Sequence, residues 1–215
     1  MKLSGVHIRR LGLQPYQHSL DAMQAFTCQR DAATVDEIWL LQHPPVFSQG
    51  QAGKPEHILC PGTIPVVRSN RGGQVTYHAP GQLIAYLLLD LKRLQLGVRQ
   101  LVNVMQQALL ALMHQYGVQA NIRQNAPGVY VAGGKLASLG LRVSKGYSLH
   151  GLALNVDMDM RPFRQINPCG YPGLRMVHLY DLYPDCDIVQ VETDLLNQLC
   201  KHLGYNSRLE FSTRN

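Results

Sequence analysis

Leu83-Ile84-Ala85-Tyr86-Leu87-Leu88-Leu89 constrains this chain more than any other stretch. It is an almost unbroken apolar run, far shorter than a membrane span, and it reads as a strand buried within a sheet. Directly before it stands Arg71-Gly72-Gly73-Gln74-Val75-Thr76-Tyr77-His78-Ala79-Pro80-Gly81-Gln82, rich in glycine, amides and potential cations. A polar, glycine-paired segment delivered by a buried strand can line a pocket with backbone amides. It can equally be a tight turn holding a satisfied histidine, and both readings stand on this stretch alone.

The 215 residues, 46% of them hydrophobic, suffice for one sizeable core, and the expectation is a single domain over residues 1–215. No apolar run approaches the ~18 residues of a membrane span, so no membrane is expected as a partner. The first ten residues have no apolar core ahead of Arg9-Arg10 and do not resemble a signal peptide. Five scattered cysteines form no C-x-x-C pair, which disfavours a zinc knuckle or a disulfide framework and suits a reducing cytoplasm. No metal or other cofactor is expected, because no Cys/His cluster or helical H-x-x-x-H pair with a partner acid is present. The formal charge of +6 is dispersed, without basic runs interleaved with aromatics, so nucleic acid is not an expected partner. A mildly basic surface suits an acidic protein partner, or none in particular.

Alternation predicts strands over 3–11, 36–41, 64–69, 74–78, 83–90, 118–123, 128–132, 136–144 and 147–156, the last two forming a hairpin about Lys145-Gly146. Helical spacing predicts helices from Pro15 to Arg30, Val98 to Tyr116 and Val189 to Leu203, with Gly117 and Gly204 closing the second and third. Residues 43–50 read as an apolar, proline-rich loop in search of something to bury against, and 160–187 as irregular. The fold class expected is α+β, a mixed single domain with a largely antiparallel sheet and packed helices.

Two further segments carry reactive side chains. In Gly133-Gly134-Lys135-Leu136-Ala137-Ser138-Leu139-Gly140, a lysine enters a strand from a glycine turn, an unusual place for a solvated cation. In Asn167-Pro168-Cys169-Gly170 a cysteine sits in a polar turn, whereas Cys28, Cys60 and Cys200 read as small buried hydrophobes. The hairpin about Gly146 occupies most of the interval between Lys135 and Cys169, so the returning strand brings the chain back beside the lysine. A free thiol, with pKa ~8.5, is only about 3% ionised at neutral pH, so a neighbouring ammonium matters to its reactivity. Which partner of the pair holds the proton stays open.

Arg71-Gly72-Gly73, Thr76, His78, Gly81-Gln82 and Tyr86 resemble the signature of the lipoyl(octanoyl) transferase family. His43-Pro44-Pro45-Val46, Gly134 to Ser138, His150 to Asn155 and Asn167 to Gly170 are similar to further motifs of that family, in order and over nearly the whole chain. The resemblance implies the fold of the biotin and lipoate ligase catalytic domain. It implies transfer of octanoyl from octanoyl-acyl carrier protein, the donor, to a lysine of lipoyl domains. The acceptors are those of the 2-oxoacid dehydrogenase complexes and the glycine cleavage H protein. By the same resemblance Cys169 is the nucleophile that carries the acyl thioester, and Lys135 activates it and shuttles its proton. Arg71, Gly72, Gly73, Gln74, Val75, Thr76, Tyr77 and His78 are implied substrate-binding residues. So are Ser138, Leu139, Gly140, Gly151, Leu152 and Ala153.

Thioester to amide runs downhill, and the chain has no G-x-x-x-x-G-K-[ST] loop, so no ATP is required. An octanoyl tail needs an apolar slot, whose burial contributes up to about 5 kcal/mol. Val46, Phe47, Tyr77 and Leu139 are candidate walls, and equally candidates for ordinary core. Amides in Gly72-Gly73 or Ser138–Gly140 are candidate oxyanion donors. His78 and His150 are rival bases, although a loop-holding role is favoured for each. The alternatives are an ATP-dependent lipoate- or biotin-protein ligase on the same fold, and a non-catalytic module that binds acyl carriers or lipoyl domains.

Overall fold

The computed structural model describes residues 5–124 and 126–205. Nine strands form two sheets, with three helices around them. The strands are β1 (Val6–Leu13), β2 (Asp36–Gln42), β3 (Val46–Gln49), β4 (Val66–Arg68), β5 (Val75–His78), β6 (Gln82–Leu88), β7 (Gly128–Val131), β8 (Gly134–Ser144) and β9 (Tyr147–Asn155). The helices are α1 (Tyr16–Gln29), α2 (Val98–Gln115) and α3 (Ile188–Leu203). The large sheet runs β1-β2-β6-β9-β8-β7 and the small one β4-β3-β5. Pairing is antiparallel except between β1 and β2 and between β3 and β4, so the α+β class with a largely antiparallel sheet holds.

The apolar run on β6 has a direct explanation. Leu83, Ala85 and Leu87 join the core beneath α2 and α3, while Ile84, Tyr86 and Leu88 join Trp39, Leu41 and Met23 beneath α1. Successive strand residues face opposite ways, so a strand covered on both faces has no polar position to offer. Gly151 on β9 makes the neighbouring pairing feasible, because a side chain there would overlap the carbonyl oxygen of Ala85.

Arg30 and Asp36, both fully buried, tie α1 to β2 through a 2.7 Å ion pair. Arg93, the Tyr205 hydroxyl and the Asp90 N–H, each at 2.7 Å, also donate to that carboxylate. One buried anion thus joins the end of α1, the connection ahead of α2 and Tyr205 just beyond α3.

Four expectations need correction. Residues 46–49 are a strand, not loop: Pro44-Pro45 sets its start, and β5 supplies an antiparallel partner about thirty residues away that local patterning does not reveal. Residues 118–123 do not form a strand, and only Asn121 bridges Tyr130. Cys28 and Cys60 are exposed, since they fall on the outward side of α1 and on a surface loop, while Cys200 is buried as expected. Val46, Phe47 and Tyr77 are ordinary core. Val46 packs with Tyr16 and Leu20, and the two aromatics pack with Phe163 and Ile166 behind the small sheet. Residues 3 and 4 of the expected first strand lie outside the described residues.

Candidate active site

The β8–β9 hairpin turns at Lys145 and Gly146, both with positive φ (54° and 89°), the geometry of a two-residue hairpin loop. It returns the chain to the start of β8, where Lys135 stands. The Lys135 N–H donates to the Arg175 carbonyl at 2.9 Å, and the Lys135 carbonyl accepts from the Val177 N–H at 3.1 Å. The segment after Cys169 is therefore stitched alongside the lysine. The turn Pro168–Gly170 is fixed from its other side by the Asn167 N–H donating to the His57 carbonyl at 2.8 Å.

The outcome is a contact of 3.1 Å between Lys135 Nζ and Cys169 Sγ. Lys135 is 2% exposed, an extreme position for an ammonium-bearing side chain. Gly128 on β7 leaves the channel it needs, because any side chain there would overlap Lys135 Cε and the Ala137 carbonyl. The Tyr130 ring lies 5.6 Å from Nζ, and burial and the nearby Cys169 push its phenol pKa upward. Cys169 itself sits at φ 57°, a left-handed conformation uncommon for a residue with a Cβ, followed by Gly170 at 80°. That pair of left-handed residues aims the thiol inward instead of along the turn.

Lys135 and Cys169 open onto a cavity of about 380 Å³ between the small sheet and β6, β8 and β9, within the usual size for a small-molecule site. Arg71, Gly72, Gly73, Gln74, Thr76, His78, Ser138, Leu139, Gly140, Gly151, Leu152 and Ala153 all border it. Val75 and Tyr77 do not. Alternation along β5 sends Thr76 and His78 to the cavity and the other two to the core behind. Of the expected apolar walls only Leu139 lines it. Ile84, Tyr86, Val98, Val102 and Leu141 supply the rest, along with Tyr16. Val98 and Val102 are one turn apart on α2, and their role depends on a helix–sheet approach that no local pattern encodes.

Polar groups at the cavity wall are mostly committed to the protein. Arg71 is 9% exposed and donates to Ser48 Oγ through Nε at 3.1 Å, and through NH1 to the Gly72 carbonyl at 2.9 Å. The Gly72 N–H donates to the Leu141 carbonyl at 2.9 Å, which removes it from the candidate oxyanion donors. His78 uses both ring nitrogens, one with Ser48 Oγ at 2.8 Å and one with Gln82 Oε1 at 2.7 Å. Burial, then His43 and Arg71, hold its pKa well below the ordinary range. Burial lowers His43 to about 4. Burial and Arg71 lower His150 to about 3. At neutral pH these rings are neutral, and each makes at least one hydrogen bond within the protein. Two atoms are exceptions: Ser138 Oγ and His150 Nδ1 are buried at the cavity wall with no hydrogen-bond partner among the described residues.

A cysteine sulfur 3.1 Å from a buried lysine nitrogen, at the mouth of an apolar cavity, is an arrangement suited to nucleophilic chemistry. Residues 15–200 match the lipoyl protein ligase A/B catalytic domain. A protein of Pseudomonas entomophila named octanoyltransferase is 61% identical over 204 residues, covering 94% of this chain and 95% of its own. Among solved structures, a Thermoplasma acidophilum lipoate protein ligase with bound lipoic acid superposes with a TM-score of 0.80. The match has 16% identity and covers 98% of this chain and 91% of the other. A biotin protein ligase of Aquifex aeolicus gives 0.54 at 12% identity, over 94% and 69%. These structural likenesses establish the fold. The chain belongs to the lipoyl protein ligase A/B catalytic domain family.

Proposed function

We propose that this chain, acting as one catalytic domain in the cytoplasm, is an octanoyltransferase. It moves an octanoyl group from acyl carrier protein to a lysine of lipoyl domains, those of 2-oxoacid dehydrogenase complexes and of the glycine cleavage H protein. The observation that carries this reading is the 3.1 Å contact of Lys135 Nζ with Cys169 Sγ at the opening of an apolar cavity. High identity over nearly the full length of proteins named octanoyltransferase supports it. Among the described residues no helix is long and apolar enough to cross a membrane.

In the first half-reaction the Cys169 sulfur attacks the donor thioester carbonyl. A new carbon–sulfur bond forms, the donor carbon–sulfur bond breaks, and Lys135 supplies the proton that leaves with the donor thiol. In the second, the acceptor amine attacks the Cys169 thioester. Lys135 takes up the amine proton, and Cys169 departs with the bonding pair. Ser138 Oγ, buried at the cavity wall without a hydrogen-bond partner among the described residues, is the hydroxyl best suited to meet the carbonyl oxygen as it gains charge. The tail lies against Leu139, Leu141 and Val102. One methylene more or less changes discrimination by only ~1–3 kcal/mol, so chain-length preference is graded.

An ATP-dependent ligase would make an acyl-adenylate and would have no use for a thiol held against a lysine. A binding module would need neither residue. The test is octanoyl transfer from acyl carrier protein to a lipoyl domain with nucleotide and metal omitted, followed by mass of the acceptor. The acceptor gains one octanoyl group on this reading. Gain only upon adding free octanoate and ATP points to a ligase, and no gain under either condition points to a binding module.

A further inference from the structure

A second cavity, of about 570 Å³ and more open to solvent, adjoins the first and shares Ala126 and Tyr171 with it. Arg123 and Arg175 stand on its rim, and no carboxylate borders it among the described residues. Arg123 lies across the Tyr130 ring, Cζ 4.1 Å from the centroid, and Lys135 Nζ is 5.6 Å from the same centroid. Arg175 runs beside Gly133, in the turn that delivers Lys135, and holds the lysine's backbone N–H through its carbonyl. Neither guanidinium has an ion-pair partner among the described residues.

Two guanidinium groups thus stand on the rim of this cavity with no carboxylate bordering it among the described residues. Nothing in the acyl cavity accounts for this, because an octanoyl tail carries no charge. The acceptor amine does not account for it either, since as an ammonium it is repelled by such a rim. The donor is different. A thioester on a carrier protein hangs from a phosphopantetheine arm, whose far end is a phosphodiester, and guanidinium groups match phosphate oxygens in charge and geometry.

We propose that the cavity between Arg123 and Arg175 receives the phosphate end of the donor's phosphopantetheine arm, thereby laying its thioester over Cys169. This rests on the transferase reading. The reach is adequate: from Sγ through Nζ and the Tyr130 centroid, the Arg123 guanidinium carbon lies at most about 13 Å away. Two amide units at ~3.5 Å each, with the cysteamine and pantoyl ends of the arm, span that interval. Once the donor thiol has left, the arm vacates the mouth through which the acceptor lysine then approaches Cys169.

The test compares Cys169 acylation by octanoyl-phosphopantetheine and by octanoyl-pantetheine, which lacks only the phosphate. Wild-type kcat/KM should favour the phosphorylated donor by roughly tenfold or more. That preference should shrink as salt rises. In an Arg123→Gln/Arg175→Gln double variant the ratio of the two should fall towards one, and in Arg123→Lys/Arg175→Lys part of it should return. Equal use of both donors by the wild type overturns the inference while leaving the transferase reading intact, as does a double variant that keeps the full ratio. Acylation by neither small donor, while octanoyl-acyl carrier protein acylates Cys169, overturns the inference alone; acylation by none of the three overturns both. A nucleotide is the other source of a phosphate here: release of pyrophosphate from octanoate plus ATP would assign the arginines to it, and none is expected.

Discussion

Lys135 and Cys169 stand 34 positions apart in sequence and 3.1 Å apart in space, with the β8–β9 hairpin closing the interval. Their chemistry separates cleanly in variants. Cys169→Ala removes the atom that carries the acyl group and should abolish transfer. Lys135→Met keeps the stem but loses the proton carrier, and should slow single-turnover acylation by ~10²–10⁴-fold. A Lys135→Met enzyme acylating at the wild-type rate would remove the lysine from the mechanism.

Ser138→Ala distinguishes catalysis from stability. The Ser138 hydroxyl has no hydrogen-bond partner among the described residues to lose, so the denaturation midpoint should move by no more than ~0.5 kcal/mol equivalent. A lost oxyanion donor should instead lower kcat on the order of 10²-fold. Unchanged kcat would return Ser138 to a purely packing role.

The buried anion at Asp36 gives a prediction remote from the cavity. Asp36→Ala leaves Arg30 buried without a counter-charge and strips a hydrogen bond from Tyr205, which should cost ~3–5 kcal/mol. Urea denaturation would measure it, and a cost below ~1 kcal/mol would show the network to be dispensable.

His43, His78 and His150 make stability depend on pH with a defined sign. Each has a folded-state pKa below the ordinary 6.5, so below that value the unfolded chain binds protons that the folded chain refuses. Stability is therefore full above about 6.5 and falls as pH drops through the window towards about 4 for His43 and about 3 for His150. Each fully neutral histidine contributes up to ~1.4 kcal/mol per pH unit there. Denaturant midpoints between about pH 7 and pH 5 should decline on acidification, and more shallowly in His150→Gln. A flat profile would mean that these rings protonate in place.

Much of this is legible in the sequence. The α2 and α3 stripes, their closing glycines and the Lys145-Gly146 turn are local signals, and the meeting of Lys135 with Cys169 follows from the hairpin. What was hidden depends on non-local pairing. β3 follows two prolines and is a strand only because β4 and β5 flank it. Val46 and Phe47 therefore face core instead of cavity, and the parity of β5 sends Val75 and Tyr77 away from it. The cavity walls from α2 needed the helix to be docked. Arg123 and Arg175 gave no signal, being distant in sequence and joined only through Tyr130 and the turn before β8.

The intact mass of the enzyme after brief exposure to octanoyl-acyl carrier protein, with no ATP present, tests the central claim most directly. The account predicts an increment of one octanoyl group on the wild type, removed by neutral hydroxylamine and missing from Cys169→Ala. An unmodified wild-type mass, or an increment that persists in Cys169→Ala, would contradict it.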